Sequence, residues 1–288
     1  MKYAPIALFA YNRPFHLRRT IEALQENDLA TKSHLYIFCD GPGSPSDQQS
    51  VQDVKACARA VDRFAKVTVI EQTKNLGLAG SIISGVGTLV SEHGRAIVLE
   101  DDLVTSRWFL QFMNDGLAFY AGEPRVASIH GYVYPVKGEL PETFFIRGAD
   151  CWGWATWDRA WTYFNSDAAE LLWQLRELQL ELPFDYNGAA PNVSMLQKFL
   201  AGQNDSWAIR WHASAFIANK LTLYPGRSLV HNIGFDGSGV HCKVQSNEYD
   251  VKLSSCPVKI KAISLKENDA SKKLFEHFFW RRRLASPW

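Results

Sequence analysis

The chain has no long hydrophobic run. Although 47% of its 288 residues are hydrophobic, no stretch approaches the roughly 20 apolar residues that span a bilayer. It also has no excess of either charge. With 31 basic and 30 acidic residues the formal net charge is +1, so no whole-molecule field gathers nucleic acid and no nucleic-acid partner is expected. Cysteine is sparse and unpatterned: Cys39, Cys57, Cys151, Cys242 and Cys256 form an odd, scattered set without C-x-x-C spacing. That excludes a disulfide framework and a zinc ribbon, and points to reduced thiols in a cytosolic protein. The apolar opening from Tyr3 to Tyr11 runs into Asn12-Arg13-Pro14 with no small-residue cleavage site. It reads as a buried first strand and not as a leader. Repeats and low-complexity segments are also missing.

Aromatic residues are plentiful. The chain carries 10 tryptophans and 17 phenylalanines, and the tryptophans crowd between Trp152 and Trp211. Two uses fit such a cluster: rings that fill a core, or a flat wall on which the C–H face of a pyranose packs.

The first hundred residues alternate short apolar runs with helical patterns. Residues 4–10 are followed by Pro14 at a helix start, with Leu17, Ile21 and Leu24 at helical spacing. A second strand, Leu35 to Cys39, ends in the turn cluster Asp40-Gly41-Pro42-Gly43. Ser46 and Gln49 have capping-box spacing ahead of a helix through Val51, Val54, Ala58, Val61 and Ala65. Val67 to Ile70 is a third strand, residues 78–92 a third helix with Leu78, Ile82, Val86 and Leu89 on one face. Ala96 to Leu99 is a fourth strand, stopping in Glu100-Asp101-Asp102. This βαβαβαβ order predicts an α/β fold, a mostly parallel sheet with helices on both faces. Such sheets bind ligands outside the carboxyl ends of their strands. The unusual polar residues stand there: Asn12-Arg13, Asp40, Asn75 and the acidic triplet.

Beyond about residue 130 the pattern loosens. Val126 to Val133 reads as another strand, 151–161 as a Trp-rich segment, and 168–181, 194–201 and 207–219 as helices. A Pro/Asn/Gly loop lies near 183–192. Residues 224–243 are rich in Gly, Asn, Asp and His without periodicity, as a mobile loop beside a site would be.

Several residues carry candidate chemistry, each with a plainer alternative. Three adjacent carboxylates repel one another unless a cation or strong donors neutralise them. A hard divalent ion such as Mn²⁺ or Mg²⁺ would join one of them to a diphosphate; the alternative is a solvated acidic turn. Asp40 can accept the imide N–H of uracil while Arg13 braces base, phosphate or carboxylate, or the two form a structural ion pair. Asp205 in Gln203-Asn204-Asp205-Ser206-Trp207 can take the proton of an attacking hydroxyl, or cap a helix starting at about Ser206. His231 and His241 bracket a Gly-rich loop, where a histidine reaches metal or diphosphate or is an ordinary loop residue. The tail from Phe275 to Trp288, with Phe278, Phe279, Trp280 and Arg281-Arg282-Arg283, either rests on an anionic membrane surface or packs back on the domain.

Taken in order, these motifs resemble the nucleotide-sugar glycosyltransferases of the GT-A fold, most closely the branch around the N-acetylglucosaminyltransferase I enzymes and their bacterial relatives. That family has an Arg after the first strand, an Asp after the second, an E-D-D triplet, a G-W element, a D-D-W element and a loop over the donor. Here the counterparts are Arg13, Asp40, Glu100-Asp101-Asp102, Gly153-Trp154, Asp205-Ser206-Trp207 and Phe235 to His241, in the same order over roughly residues 5 to 242.

The resemblance implies a Rossmann-like GT-A domain. Residues 1–130 would form its nucleotide-sugar-binding half. Residues 131–288 would form its acceptor-binding half, with a flexible loop at about 230–243 and a basic aromatic tail at 275–288. It implies an inverting, metal-dependent transfer from a UDP-sugar to a carbohydrate or glycolipid acceptor, as in surface polysaccharide synthesis. Asp102 would hold the Mn²⁺ (or Mg²⁺), and Glu100 and Asp101 the donor sugar and ribose. Asp40 would read uracil, Arg13 support the donor, and Asp205 act as base. Asn75, Gly153, Trp154, Trp207 and His241 would complete the donor site. Ser206 stands where the family shows a second acidic residue, so Asp205 is the candidate there. The family's animal members carry an N-terminal membrane anchor. Without one, the chain is expected in the cytoplasm, with peripheral membrane contact through the tail.

Two other functions share parts of this pattern. A sugar nucleotidyltransferase would carry a Gly-rich basic loop after the first strand, where this chain reads Ala10-Tyr11-Asn12-Arg13-Pro14. A non-catalytic carbohydrate- or nucleotide-binding protein on the same fold would have no need of the triplet, Asp40 and Asp205 together.

Overall fold

A computed structural model describes residues 3–237 and 247–285. Ten strands are present among them: β1 (Ile6–Ala10), β2 (His34–Cys39), β3 (Lys66–Glu71), β4 (Arg95–Glu100), β5 (Leu103–Thr105), β6 (Val126–His130), β7 (Thr143–Arg147), β8 (Trp154–Trp157), β9 (Leu221–Pro225) and β10 (Val230–Asn232). Eight form one sheet in the order β3-β2-β1-β4-β8-β6-β9-β7, and β5 pairs with β10 in a small second sheet. The pairings β3–β2, β2–β1, β1–β4 and β6–β9 are parallel. Strands β8 and β7 run against the other six. This is the mostly parallel α/β sheet expected of a Rossmann-like GT-A fold.

The helices are α1 (Pro14–Gln25), α2 (Gln48–Arg59), α3 (Gly77–His93), α4 (Phe109–Phe119), α5 (Asp158–Trp161), α6 (Ala168–Glu177), α7 (Glu181–Phe184), α8 (Asn192–Leu200), α9 (Trp207–Ile217) and α10 (Asp269–Ala285). From β1 to β3 the chain steps outward one way; from β3 it jumps back across β1 to β4. Right-handed crossovers therefore put α1 and α2 on one face and α3 on the other. The sheet's order reverses between β1 and β4, and a crevice opens at such a switch point. Arg13 leaves β1 there and the acidic triplet ends β4 there.

Local physics explains the first elements. Pro14 at the first helical position needs no N–H partner, and Leu17, Ile21 and Leu24 turn one face of α1 into the core. On α3, Ile82, Val86 and Leu89 do the same. The expected capping box at Ser46 does not form. A 3-10 turn over Pro45–Asp47 precedes α2, and the Ser46 hydroxyl bonds that of Ser44 at 2.7 Å. Helix α2 also stops at Arg59, before Val61 and Ala65, and Arg63 takes a left-handed φ of 62° in the turn toward β3.

The tryptophan cluster is a core. Trp154 and Trp211 are fully buried, and Trp154 stacks on Trp207 with centroids 5.6 Å apart at 26°. Trp161 closes the group against Trp211 at 5.1 Å. Truncating Trp154 to alanine should cost about 3–5 kcal/mol of folding stability, read from chemical unfolding. A cost near zero would mean that the ring is not packed this way.

The tail also packs inward. Phe275, Phe278 and Phe279 on α10 are buried among Phe144, Tyr186, Tyr224 and Tyr249, and Arg282 pairs with Glu248 at 2.8 Å. Its phenylalanines are thus committed to the domain, leaving Trp280 and Leu284 exposed. No helix among the described residues is long and apolar enough to cross a membrane.

Candidate functional site

The acidic triplet closes the carboxyl end of β4, beside the end of β1, with Glu100 in register with Phe9. Arg13, the residue before α1, reaches the triplet. Its Nη2 donates to Asp101 Oδ1 and, at 2.8 Å, to Asp102 Oδ2. Asp101 is further fixed through its backbone carbonyl, which accepts from Thr20 Oγ1 at 2.7 Å. One guanidinium thus faces three carboxylates. Burial, then the neighbouring Asp102 and Asp101, push Glu100 up to about 8, with only partial relief from Arg13. Burial also lifts Asp101, to about 6, against the lowering effect of the paired Arg13. Burial by itself would lower the pKa of Arg13, but the two carboxylates outweigh it and raise it above its ordinary value.

A second chain segment is laid directly on Asp102. Strand β10 pairs antiparallel with β5, Asn232 opposite Leu103, and the Ile233 N–H continues the ladder to the Asp102 carbonyl at 2.9 Å. Gly234 follows, its N–H bonded to Asn232 Oδ1 at 2.8 Å. A Cβ at position 234 would lie 2.2 Å from Asp102 Oδ2, so only glycine leaves this carboxylate where it is. Asp236 then pairs with His16 Nε2 of α1 at 3.0 Å. The loop expected over 224–243 is thus partly a strand. Its residue His231 lies against Asp250 at 4.0 Å, and His241 lies outside the described residues.

Asp40 and Asn75 sit on the two neighbouring loops and brace each other. Asp40 Oδ1 accepts the N–H groups of Gly41 and Leu76, both at 2.8 Å, while Asn75 Nδ2 donates to the Gly41 carbonyl at 2.8 Å. The loops cross so closely that a Cβ on Gly41 would meet the Lys74 carbonyl carbon at 2.4 Å. Asp40 Oδ2 takes no hydrogen bond among the described residues. Tyr11 ties the first loop to the second: its hydroxyl donates to Asp47 at 2.8 Å and accepts the Gly43 N–H at 3.0 Å.

On the other side of β4 lies antiparallel β8, which pairs Trp154 with Val98. The residues just before β8 therefore flank the triplet. Gly153, at φ 69°, makes the turn, and its carbonyl accepts from the Gly131 N–H at 2.7 Å. The Trp154 ring points into the core, so the half-buried aromatic at this edge is Trp152, packed on Phe235 at 5.5 Å. Burial and the carboxylates of Asp150, Glu100 and Asp102 push the Cys151 thiol well up. Asp150 itself accepts from the Tyr134 hydroxyl at 2.8 Å and that of Tyr224 at 3.2 Å.

Asp205 does not cap α9. Ser206 does, its Oγ accepting from the Ile209 N–H at 3.3 Å, and Asp205 stands exposed just ahead of it. The Trp207–Trp154 stack packs this helix start against β8. Arg13, Asp101 and Asp102 are in direct contact, Asp40 and Asn75 form the adjoining wall, and Trp207 lies in the core beneath. Sequence reading missed His16, Thr20, Asp150, Cys151, Trp152 and Gly234. Of these, Gly234, inside the glycine-rich run, and Trp152, at the start of the tryptophan cluster, carried a visible signal.

No protein-family model and no curated protein matches the chain. Among solved structures, the S. aureus TarS fragment 1–349 superposes with a TM-score of 0.41 at 9% identity, covering 81% of this chain and 61% of that one. A longer S. aureus TarS structure gives 0.32 at 14% identity, covering 50% and 24%. The 4-diphosphocytidyl-2C-methyl-D-erythritol synthase of Anaerococcus prevotii gives 0.38 at 8% identity, covering 77% and 87%. The chain thus spans about three fifths of the TarS fragment's length. At these identities and scores no residue role is carried across.

Proposed function

We propose that the protein is a glycosyltransferase that moves a sugar from a UDP-sugar to an acceptor hydroxyl, with inversion and with the help of a divalent cation. The observation that carries this reading is the convergence of Arg13, Asp40, Asn75 and a charge-rich acidic triplet at the switch point of the sheet. A diphosphate and a base both find partners there.

The residues fit a cation. Three carboxylates share one guanidinium, two of them are driven toward their protonated forms, and Asp102 Oδ1 takes no hydrogen bond among the described residues. Among those residues no group of three or more His, Cys, Asp or Glu is placed to hold a metal ion by itself. The protein would therefore supply Asp102, leaving other positions for diphosphate and water oxygens. A bound Mn²⁺ or Mg²⁺ would offset the charge that builds on the departing diphosphate.

The chain's own groups do the rest. Asp40 holds the uracil imide N–H, and Asn75 keeps that wall in place. Asp101 and Glu100 hold ribose and sugar hydroxyls. Asp205 takes the proton of the acceptor hydroxyl as its oxygen bonds to the anomeric carbon. The bond from that carbon to the diphosphate oxygen breaks on the opposite face, releasing UDP. Changing Asp205 to asparagine keeps the shape and removes the base, so kcat should fall about 10²–10⁴-fold with UDP affinity intact. Unchanged kcat would assign the base elsewhere.

The class is tested by incubating the protein with a panel of nucleotide-sugars, with Mn²⁺ or with chelator, and assaying free nucleoside diphosphate. Cation-dependent release from one UDP-sugar is expected. Absence of both turnover and nucleotide binding would end the reading.

A further inference from the structure

Arg13 uses one amino nitrogen for two carboxylates. Both hydrogens of Nη2 go to Asp101 and Asp102, while Nε–H and the two hydrogens of Nη1 make no hydrogen bond among the described residues. The side chain keeps 20% of its surface exposed. It is therefore a counter-ion with three donors in hand. It is anchored to the carboxylate that would hold a cation, Asp102, and to one that would not, Asp101.

Resting on the donor site proposed above, we infer that Arg13 is an exchangeable internal cation that couples metal binding to nucleotide binding. Without donor, the guanidinium occupies the positive position at Asp102. When a divalent cation binds there, Arg13 yields Asp102, stays held by Asp101, and gives its uncommitted donors to the diphosphate. Two positive charges a few ångströms apart on one carboxylate repel each other, so a cation arriving alone at Asp102 must compete with the guanidinium. A cation arriving with a diphosphate meets no such competition, because the displaced guanidinium gains a new anionic partner. Metal and nucleotide thus favour each other's binding through one side chain, and the effect is reciprocal.

Among the described residues at this edge none other takes over this task. Thr20 fixes only the backbone of Asp101, and His16 is turned to Asp236. Of the residues brought together here, Arg13 alone brings a permanent positive charge to the triplet. Its removal should act on the two ligands with opposite signs, which mere damage to the fold would not do.

The test measures binding to the full chain, wild type and Arg13→Gln. Free Mn²⁺ is followed by electron paramagnetic resonance, with and without UDP, and UDP affinity by calorimetry in Mn²⁺. The glutamine variant should bind Mn²⁺ alone at least about tenfold more tightly and UDP at least about tenfold more weakly. Mn²⁺ alone should also raise its melting temperature more than that of the wild type. Arg13→Lys keeps the charge but loses the fork. It should shift both affinities the same way by less, and it serves if the glutamine variant does not fold. If Arg13→Gln or Arg13→Lys binds Mn²⁺ alone no better than wild type, while wild type binds Mn²⁺ with UDP, the exchange is wrong and the donor site stands. If wild type binds Mn²⁺ neither alone nor with UDP, the donor site itself is wrong and the exchange falls with it.

Discussion

Asp102→Ala is expected to fold, to keep its melting temperature within a few degrees of wild type, and to lose cation-dependent UDP release about a thousandfold or more. The two halves of this expectation have separate causes. Asp102 is bonded to Arg13 through its Oδ2 at 2.8 Å, and its Oδ1 takes no hydrogen bond among the described residues. Deleting its side chain would remove the carboxylate proposed to hold the cation. A factor of a thousand corresponds to about 4 kcal/mol of transition-state stabilisation, in the range that a single electrostatic partner supplies. Folding is spared because Arg13 still has Asp101, and because the negative neighbour that helps drive Glu100 up to about 8 has gone. The backbone of residue 102 still accepts the Ile233 N–H, so the small β5–β10 sheet keeps its register. The measurement is the rate of UDP release from a responsive UDP-sugar, with and without Mn²⁺. Equal cation-dependent rates in variant and wild type would remove Asp102 from the proposed role.

Gly234→Ala is expected to cut the same activity about a hundredfold, although position 234 need touch no substrate. The reason is steric and local. The new Cβ would lie 2.2 Å from Asp102 Oδ2 and 3.0 Å from its Cγ, well inside contact distance, so the carboxylate must turn or the β10 segment must lift. The backbone at 234 does not need a left-handed φ, which leaves the clash with Asp102 as the main effect of the methyl group. A stability loss of about 1–3 kcal/mol accompanies such overpacking, readable by chemical unfolding. A double-mutant cycle separates the local effect from general damage. In the Asp102→Ala background the extra methyl meets no carboxylate, so the second substitution should cost little further activity or stability. Full additivity would show that Gly234 acts on something other than Asp102.

The residues that sequence reading found and those it missed differ in a physical way. Strands β1 to β4 and helix α3 were legible because each is an apolar run or a 3.6-residue stripe whose pattern is contained in its own residues. The site residues Arg13, Asp40, Asn75 and the triplet were legible because they end such runs, and the strand order told where those ends meet. Strands β5, β7, β8 and β10 were not. They are three to five residues long, too short for a period, and their existence depends on partners far along the chain, as Asn232 opposite Leu103 shows. For the same reason Gly234 looked like one glycine among several: its importance comes from the register that lays it on Asp102. The tryptophans were ambiguous because core and sugar wall use the same residue type. The choice was made by β8, which points Trp154 inward and leaves Trp152 near the crevice. Asp205 was read either as a helix cap or as a base. The cap is Ser206, whose hydroxyl has the geometry for it.

The most direct test of the donor site is a calorimetric titration of UDP into the wild-type protein, once with Mn²⁺ and once with chelator. Saturable binding of one UDP per chain in Mn²⁺, at least about tenfold weaker in chelator and lost in Asp102→Ala, is the expected result. Binding that ignores the cation and survives Asp102→Ala, or no binding under either condition, would contradict it.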